Sequence, residues 1–240
     1  MVGVILAAGD GRRLKNSSKE ECCKPLIKIN RKRLIAYSLD NLINLGIKKV
    51  YIVVGKEGEL IKNTLGDTYK DLEISYVIQQ EQQGLINAFT QAVDVIGCEE
   101  TIILQLSDEI FTDLKVEKIK SYIETENYDF YCGITYEDDP DKIRNNFSVE
   151  TDNEGKILEC IEKPLKVINN IKGTGFCIFN GAVLQVLNDD QTDENELYDL
   201  CDYINYLIKN GKRGLALNIA EREFNINTFS NLLEVQNYFE

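Results

Sequence analysis

Histidine is missing from all 240 positions of this chain. That absence excludes a Ser-His-Asp or Cys-His nucleophilic mechanism and any His-ligated metal centre. Chemistry must then rest on carboxylates, lysine, arginine, backbone amides and a hard cation. Long apolar runs are missing too: stretches such as Val2 to Ala8 fall far short of a membrane span. The N-terminus lacks a charged n-region and its apolar run ends in Gly-Asp-Gly, so no signal peptide is read and a cytoplasmic location is expected. The seven cysteines (22, 23, 98, 132, 160, 177 and 201) contain no C-x-x-C. Reduced thiols are the expectation for such an odd set in a cytosolic protein. Cys22-Cys23 has no second Cys or His cluster with which to complete a metal site. Repeats, low-complexity tracts and Pro/Gly-rich linkers are absent as well, which favours one α/β domain.

What is present is ordinary in bulk and uneven in detail. Hydrophobic residues make up 43 % and charged residues 28 %, as in soluble globular proteins. The net charge of −13 argues against a nucleic-acid partner. Yet residues 12 to 33 hold nine of the 27 basic residues (Arg12, Arg13, Lys15, Lys19, Lys24, Lys28, Arg31, Lys32, Arg33) against two acids, Glu20 and Glu21. Such a segment is either a solvated basic loop or a site for a compact polyanion.

Hydrophobic periodicity predicts a buried strand over Val2 to Ala8, a helix over Leu34 to Leu45 stopped by Gly46, and a strand over Lys49 to Val54. A short helix over Glu57 to Leu65, a strand over Ile74 to Ile78, a helix over Leu85 to Val95 and a strand over Thr101 to Leu106 follow. Strands alternating with helices imply parallel β-α-β units. Right-handed crossovers put their C-terminal ends on one edge, where open sheets bind ligands. That edge should carry the Gly9 to Gly11 loop and Asp108. The second half reads as strands over Phe130 to Tyr136, Phe147 to Glu150, Lys156 to Ile161, Thr174 to Asn180, Leu215 to Ile219 and Phe224 to Ile226, with a hairpin turn at Asp152 to Gly155. Its helices are expected over Gly181 to Leu187, Glu194 to Lys209 and Ser230 to Phe239. The predicted fold is a single Rossmann-like domain with a mixed, mostly parallel sheet flanked by helices. Residues 1–125 would form a nucleotide-binding half and 126–240 an acceptor-binding half.

Ala8-Gly9-Asp10-Gly11-Arg12-Arg13-Leu14 follows the first strand directly. Glycines let backbone N–H groups approach phosphate oxygens, and arginine offers a planar cation with several donors. Neither G-x-G-x-x-G nor G-x-x-x-x-G-K-[ST] fits, so the case for a phosphate loop rests on the adjoining basic run.

Leu6 to Leu14 followed by Lys24-Pro25-Leu26 resembles the opening signature of the sugar nucleotidyltransferases. Further matches occur in that family's order: Gln79, Gly84 and Ala88; Leu106-Ser107-Asp108, with serine for the usual glycine; Glu162-Lys163-Pro164; and Gly173-Thr174-Gly175. The resemblance implies a reaction in which a phosphorylated acceptor attacks the α-phosphate of an NTP in line and pyrophosphate leaves. It implies that Leu6, Ala8, Gly9 and Gly11 line the nucleotide site, with Arg13 on the β- and γ-phosphates and Lys24 on the reacting phosphates. Gln79 and Gly84 would meet the base. Asp108 would hold Mg²⁺, and Glu162, Lys163 and Gly175 would bind the acceptor. Arg13, Lys24, Asp108 and Lys163 are thus the implied catalytic set.

The family's second metal-binding aspartate falls at Asn225 within Phe224-Asn225-Ile226-Asn227-Thr228, where an amide oxygen would replace a carboxylate. The expected partners are an NTP, with dTTP or UTP before CTP, and a small phosphorylated acceptor, a sugar 1-phosphate before a non-sugar phosphate such as phosphocholine. No membrane partner is expected, and the resemblance implies a homo-oligomer without locating its interface. A non-catalytic nucleotide-sensing subunit remains the alternative of another class. Each also has a plainer reading: Asp108 as a helix N-cap, Gln79 as a loop polar residue and Glu162-Lys163 as a surface ion pair. The acids of 189–196 read as a solvated loop.

Overall fold

In the computed structural model, residues 1–9, 11, 23–81, 83–125, 127–188 and 197–240 are described. Strand β1 (Val2–Ala7) leads through a one-turn 3-10 helix at Lys24–Leu26 and a small hairpin, β2 (Lys28–Ile29) and β3 (Lys32–Arg33), to helix α1 (Leu34–Asn44). Next come β4 (Lys49–Val54), α2 (Gly58–Leu65), β5 (Thr68–Tyr69), β6 (Leu72–Ile78), α3 (Leu85–Ile96) and β7 (Ile102–Leu106). Strands β6, β4, β1 and β7 lie side by side in that order, all parallel. Because β1 is apolar at every position, it can be covered on both faces. Val4 and Leu6 pack with Phe89 and Ala92 of α3, whereas Ile5 and Ala7 pack with Leu39 and Leu42 of α1. The chain reverses direction across the sheet between β1 and β7, and the crevice outside their C-terminal ends is where such sheets bind ligands.

The second half extends the same sheet with antiparallel neighbours. Strand β8 (Glu109–Thr112) and helix α4 (Val116–Thr125) precede β9 (Phe130–Tyr136), the short α5 (Pro140–Arg144), β10 (Phe147–Thr151), β11 (Ile157–Glu162) and β12 (Ile171–Phe179). Helices α6 (Gly181–Leu184) and α7 (Leu200–Lys209), strands β13 (Gly214–Asn218) and β14 (Arg222–Asn225), and α8 (Phe229–Phe239) complete the chain. Strand β12 pairs antiparallel with β7, β9 and β10, joining the two halves into one ten-stranded sheet. Phe179 of β12 locks that junction, its ring 5.4 Å from Phe89 and 5.3 Å from Tyr203. Removing such a buried ring costs about 3–5 kcal/mol. Strands β8 and β14 form a separate ribbon, with Asn225 opposite Glu109. A satellite core of Ile29, Leu34, Ile110, Phe224, Ile226, Leu232 and Val235 holds that ribbon against α8.

Several elements depart from the sequence expectations. The helix expected over Glu194 to Lys209 begins at Leu200, because Asp199 caps it through a reciprocal box with Asp202; residues 189–196 lie outside the described set. The strand expected over Thr174 to Asn180 starts earlier, at Ile171, and the predicted helix over Gly181 to Leu187 tightens into a 3-10 turn after Leu184. Helix α4 was not anticipated: of its residues only Ile119 is buried, so its apolar stripe is narrow. Neither was β8, which follows Asp108 at once. Among the described residues, no helix is long and apolar enough to cross a membrane.

Candidate active site

A cavity of about 620 Å³ opens at the switch between β1 and β7. Its floor and walls come from Leu6, Ala8 and Gly9 after β1, Gly11, Lys24 and Pro25 of the next segment, and Leu106, Ser107 and Asp108 after β7. Gln79, Gly84, Leu85 and Ala88 close one side, with Tyr198 and Asn227 added from the second half. Arg13 lies outside the described residues.

Lys24 enters because Pro25 fixes the one-turn helix behind it, and Gly11 makes room. A Cβ at Gly11, whose φ is +60°, would meet the Lys24 side chain at 3.2 Å. The Lys24 ammonium donates to Asp108 Oδ2 at 2.5 Å and to Asn227 Oδ1 at 3.0 Å. Both charged side chains are mostly covered, at 12 % and 22 % exposure, but both line the cavity, so ligand atoms can reach them. Asp108 is placed by the end of β7, where Ser107 N–H donates to Leu6 O at 3.1 Å. Ile226 N–H donates to Asp108 O at 2.9 Å, tying the segment after β14 to the same point.

On the opposite wall Gln79 is 5 % exposed and its Nε2 donates to Asn87 Oδ1 at 3.0 Å and Gly84 O at 3.4 Å. Gly84 has φ +106°, and a Cβ there would strike Tyr198 at 2.8 Å; only glycine fits both demands. Leu85 and Ile86 N–H groups donate to Tyr198 O, at 2.9 and 3.3 Å. Two of the amides at the start of α3 are therefore occupied by protein.

The remaining candidates sit elsewhere. Lys163 and Asn225 line a neighbouring pocket of about 260 Å³, which shares Asn227 with the main cavity. Lys163 has a positive φ of 45°, its ammonium pairs with Glu162 at 2.6 Å, and its N–H donates to Asn146 O. Glu162 lines neither cavity, and its other oxygen lies 3.9 Å from Cys201 Sγ. Gly175 also lines neither: a bulge in β12 after Gly173 releases its N–H from the ladder, and it donates to both carboxylate oxygens of Glu109 at 2.9 and 2.8 Å. The amide is thus occupied. Asn225 donates to Asn146 Oδ1 at 2.8 Å and accepts from Asn227 Nδ2 at 2.6 Å, which sets it one residue back from Asp108.

Beneath this surface lies a buried charged layer that sequence reading missed. Lys172 pairs with Glu223, the two side chains 3 % and 1 % exposed. Burial, reinforced by the carboxylates of Glu223 and Asp108, pushes the Glu109 carboxyl well above the usual range. Burial also raises Glu223, against the pull of Lys172.

The family model described as nucleotidyl transferase matches residues 2–237. This chain belongs to the nucleotidyl transferase family. The transferase is 30 % identical to the UTP–glucose-1-phosphate uridylyltransferase AglF of Haloferax volcanii, over 91 % of this chain and 88 % of that protein. It is 27 % identical to the low-salt glycan biosynthesis nucleotidyltransferase Agl11 of the same organism, covering 88 % of this chain but only 58 % of that longer protein. Its fold superposes with a TM-score of 0.86 on a putative glucose-1-phosphate thymidylyltransferase from Bacillus anthracis, solved with sucrose, at 23 % identity and with 99 % and 94 % of the two chains covered.

Proposed function

We propose that this nucleotidyltransferase joins a sugar 1-phosphate to the nucleotidyl group of UTP or dTTP, giving an NDP-sugar and pyrophosphate. The observation that carries the reading is the convergence of Lys24, Asp108 and Asn227 in a large cavity at the β1–β7 switch. The phosphate oxygen of the acceptor is largely ionised near neutral pH, so attack on the α-phosphorus needs no histidine base. It needs two anions brought together and their charge offset.

Lys24 would offset charge on the reacting phosphates, and Gly9 and Gly11 would let backbone amides approach them. Asp108 Oδ2 and Asn227 Oδ1 both accept from the Lys24 ammonium; with that ammonium drawn to phosphate, their hard oxygens would be of the donor type that suits Mg²⁺. Among the described residues no group of three acidic, Cys or His side chains could hold a metal, so phosphates and water would have to complete the ion's shell. Bound there, Mg²⁺ would supply electrophilic stabilisation at the α-phosphate. Asn225, to which the sequence pattern gives the second metal-binding place, stands one hydrogen bond away from Asn227. Gln79, held by Asn87, would present its amide to the base beside Gly84. Lys163 would leave Glu162 to meet the acceptor phosphate, and Arg13 would bind the leaving pyrophosphate.

Mg²⁺-dependent pyrophosphate release, crossing the common NTPs with sugar 1-phosphates and phosphocholine, tests this directly. Turnover with UTP or dTTP and a sugar 1-phosphate is expected. Turnover confined to CTP with a non-sugar phosphate, or silence across the panel with NTP still bound, would overturn it.

A further inference from the structure

A run of side-chain amides lies behind one wall of the main cavity. Gln79, just past the end of β6, lines that cavity. Asn87, in the first turn of α3, does not; it lines a separate pocket of about 340 Å³ together with Gln83 and Gln91. Gln83 Nε2 donates to Glu81 Oε2 at 3.0 Å, and Asn87 Nδ2 donates to Gln83 Oε1 at 3.3 Å. Asn87 Oδ1 accepts from Gln79 Nε2 and from Gln91 Nε2, each at 3.0 Å. Gln79 Nε2 also donates to Gly84 O at 3.4 Å.

A side-chain amide keeps nearly the same shape when it is turned over, so its partners decide which end faces where. A carboxylate and a backbone carbonyl only accept, and one of each anchors this run at either end. Glu81 draws the Gln83 NH₂, which leaves the Gln83 oxygen for the Asn87 NH₂. The Asn87 oxygen is thereby turned to Gln79 and, with the Gly84 carbonyl, takes the Gln79 NH₂. Gln79 Oε1 receives no hydrogen bond from the described residues. It is the end left for a ligand.

An acceptor in that place separates pyrimidines by one ring atom. Uracil and thymine carry N–H at ring position 3, whereas cytosine carries a bare nitrogen there, itself an acceptor. The first can donate to Gln79 Oε1; the second meets it lone pair to lone pair. Turning Gln79 over to suit cytosine would set its oxygen against the Asn87 oxygen and the Gly84 carbonyl together.

We infer that Asn87 is a positioning residue that sets the base preference, by holding Gln79 with its oxygen toward the cavity so that a base with N–H at ring position 3 is taken and cytosine is refused. The inference rests on the nucleotide reading of the cavity proposed above, and it supplies a cause for UTP or dTTP before CTP.

The test compares UTP and CTP binding by isothermal titration calorimetry with acceptor omitted, alongside kcat/KM for each in the full reaction. Wild type should favour UTP about a hundredfold, the scale of one lost hydrogen bond plus an unpaired buried acceptor. Asn87→Leu keeps the bulk, removes the acceptor and should cut that ratio about tenfold. A merely damaged wall would weaken both nucleotides alike and leave the ratio standing. Asn87→Asp keeps an oxygen toward Gln79 and should hold the ratio near wild type. Asn87→Ala makes the same deletion should the leucine variant fold poorly. 3-Methyl-UTP, which has lost the N–H, should bind wild type about as weakly as CTP.

A ratio unchanged in the leucine and alanine variants, or lost as far in Asn87→Asp, would overturn the positioning role while leaving the proposed reaction intact. So would wild type that binds UTP, CTP and 3-methyl-UTP equally. Wild type that binds neither UTP nor CTP would instead sink the nucleotide reading, and the inference with it.

Discussion

Two lysine–carboxylate pairs lie close together in this fold, and they are built for opposite ends. Lys24–Asp108 lines the open cavity, each partner partly exposed, with Asn227 sharing the ammonium. Lys172–Glu223 is sealed, and Glu223 Oε1 has no hydrogen-bond partner among the described residues. A pair that lines an open cavity can exchange its partner for an incoming phosphate, because the replacement charge arrives where the old one leaves. A sealed pair cannot, since separating it strands a charge in a medium of low polarity. The same two residue types therefore supply reactivity in one place and registry in the other. The buried pair ties β12 to β14 at the floor of the neighbouring pocket.

Variants can break this comparison, beginning with the largest effect. Asp108→Ala should lower kcat/KM about a thousandfold, the scale of losing a focused electrostatic contact in a transition state, while unfolding midpoints stay near wild type. Loss of stability matching the loss of rate would place Asp108 among the structural residues instead. Lys172→Met should do the reverse, destabilising by about 3–5 kcal/mol through an unpaired buried carboxylate. Adding Glu223→Leu should recover much of that in urea titrations. If the double variant is no better than the single one, the pair is not an isolated charge couple.

Glu109→Gln sharpens the contrast through pH. The folded carboxyl is raised well above its ordinary value by burial, so the folded state holds its proton where the unfolded chain has released it. Its penalty is absent below the unfolded value of about 4.3 and grows as pH rises through that value toward the folded one. Glutamine should therefore raise Tm at pH 8 and make little difference at pH 4, by differential scanning fluorimetry; equal gains at both would discard the titration. The smallest effect belongs to the half-exposed pair Lys142–Glu234, 2.7 Å apart. Lys142→Met should cost less than about 0.5 kcal/mol, and added salt should erase the difference.

Much of the first half was readable from the chain alone, because its signals are local. Strand β1, Gly9 and Gly11 after it, and the Asp108 that ends β7 sit where period and punctuation place them, and Lys24 was marked by the family resemblance. The second half resisted for reasons of range. Lys172 and Glu223 meet across 51 positions, and no periodicity announces such a pairing. Asn225 and Asn227 stand two residues apart at the end of one strand, so pattern alone could not say which faces the cavity. Both line the neighbouring pocket, and Asn227 also lines the main cavity. Gly175 shows the same limit: its glycine was visible, but not the bulge that hands its N–H to Glu109. The Lys24 ammonium bridging Asp108 and Asn227 likewise depends on contacts 84 and 203 positions apart.

Strand β12, bonded at once to β7, β9 and β10, has a consequence for engineering. A hinge between the two sides of the cavity would have to tear a ladder, so shape change on binding is left to the connecting segments. Grafting new acceptor-side loops onto this frame should then redirect the choice of acceptor without retuning the nucleotide wall. The sheet serves as a fixed jig against which interchangeable tools can be mounted.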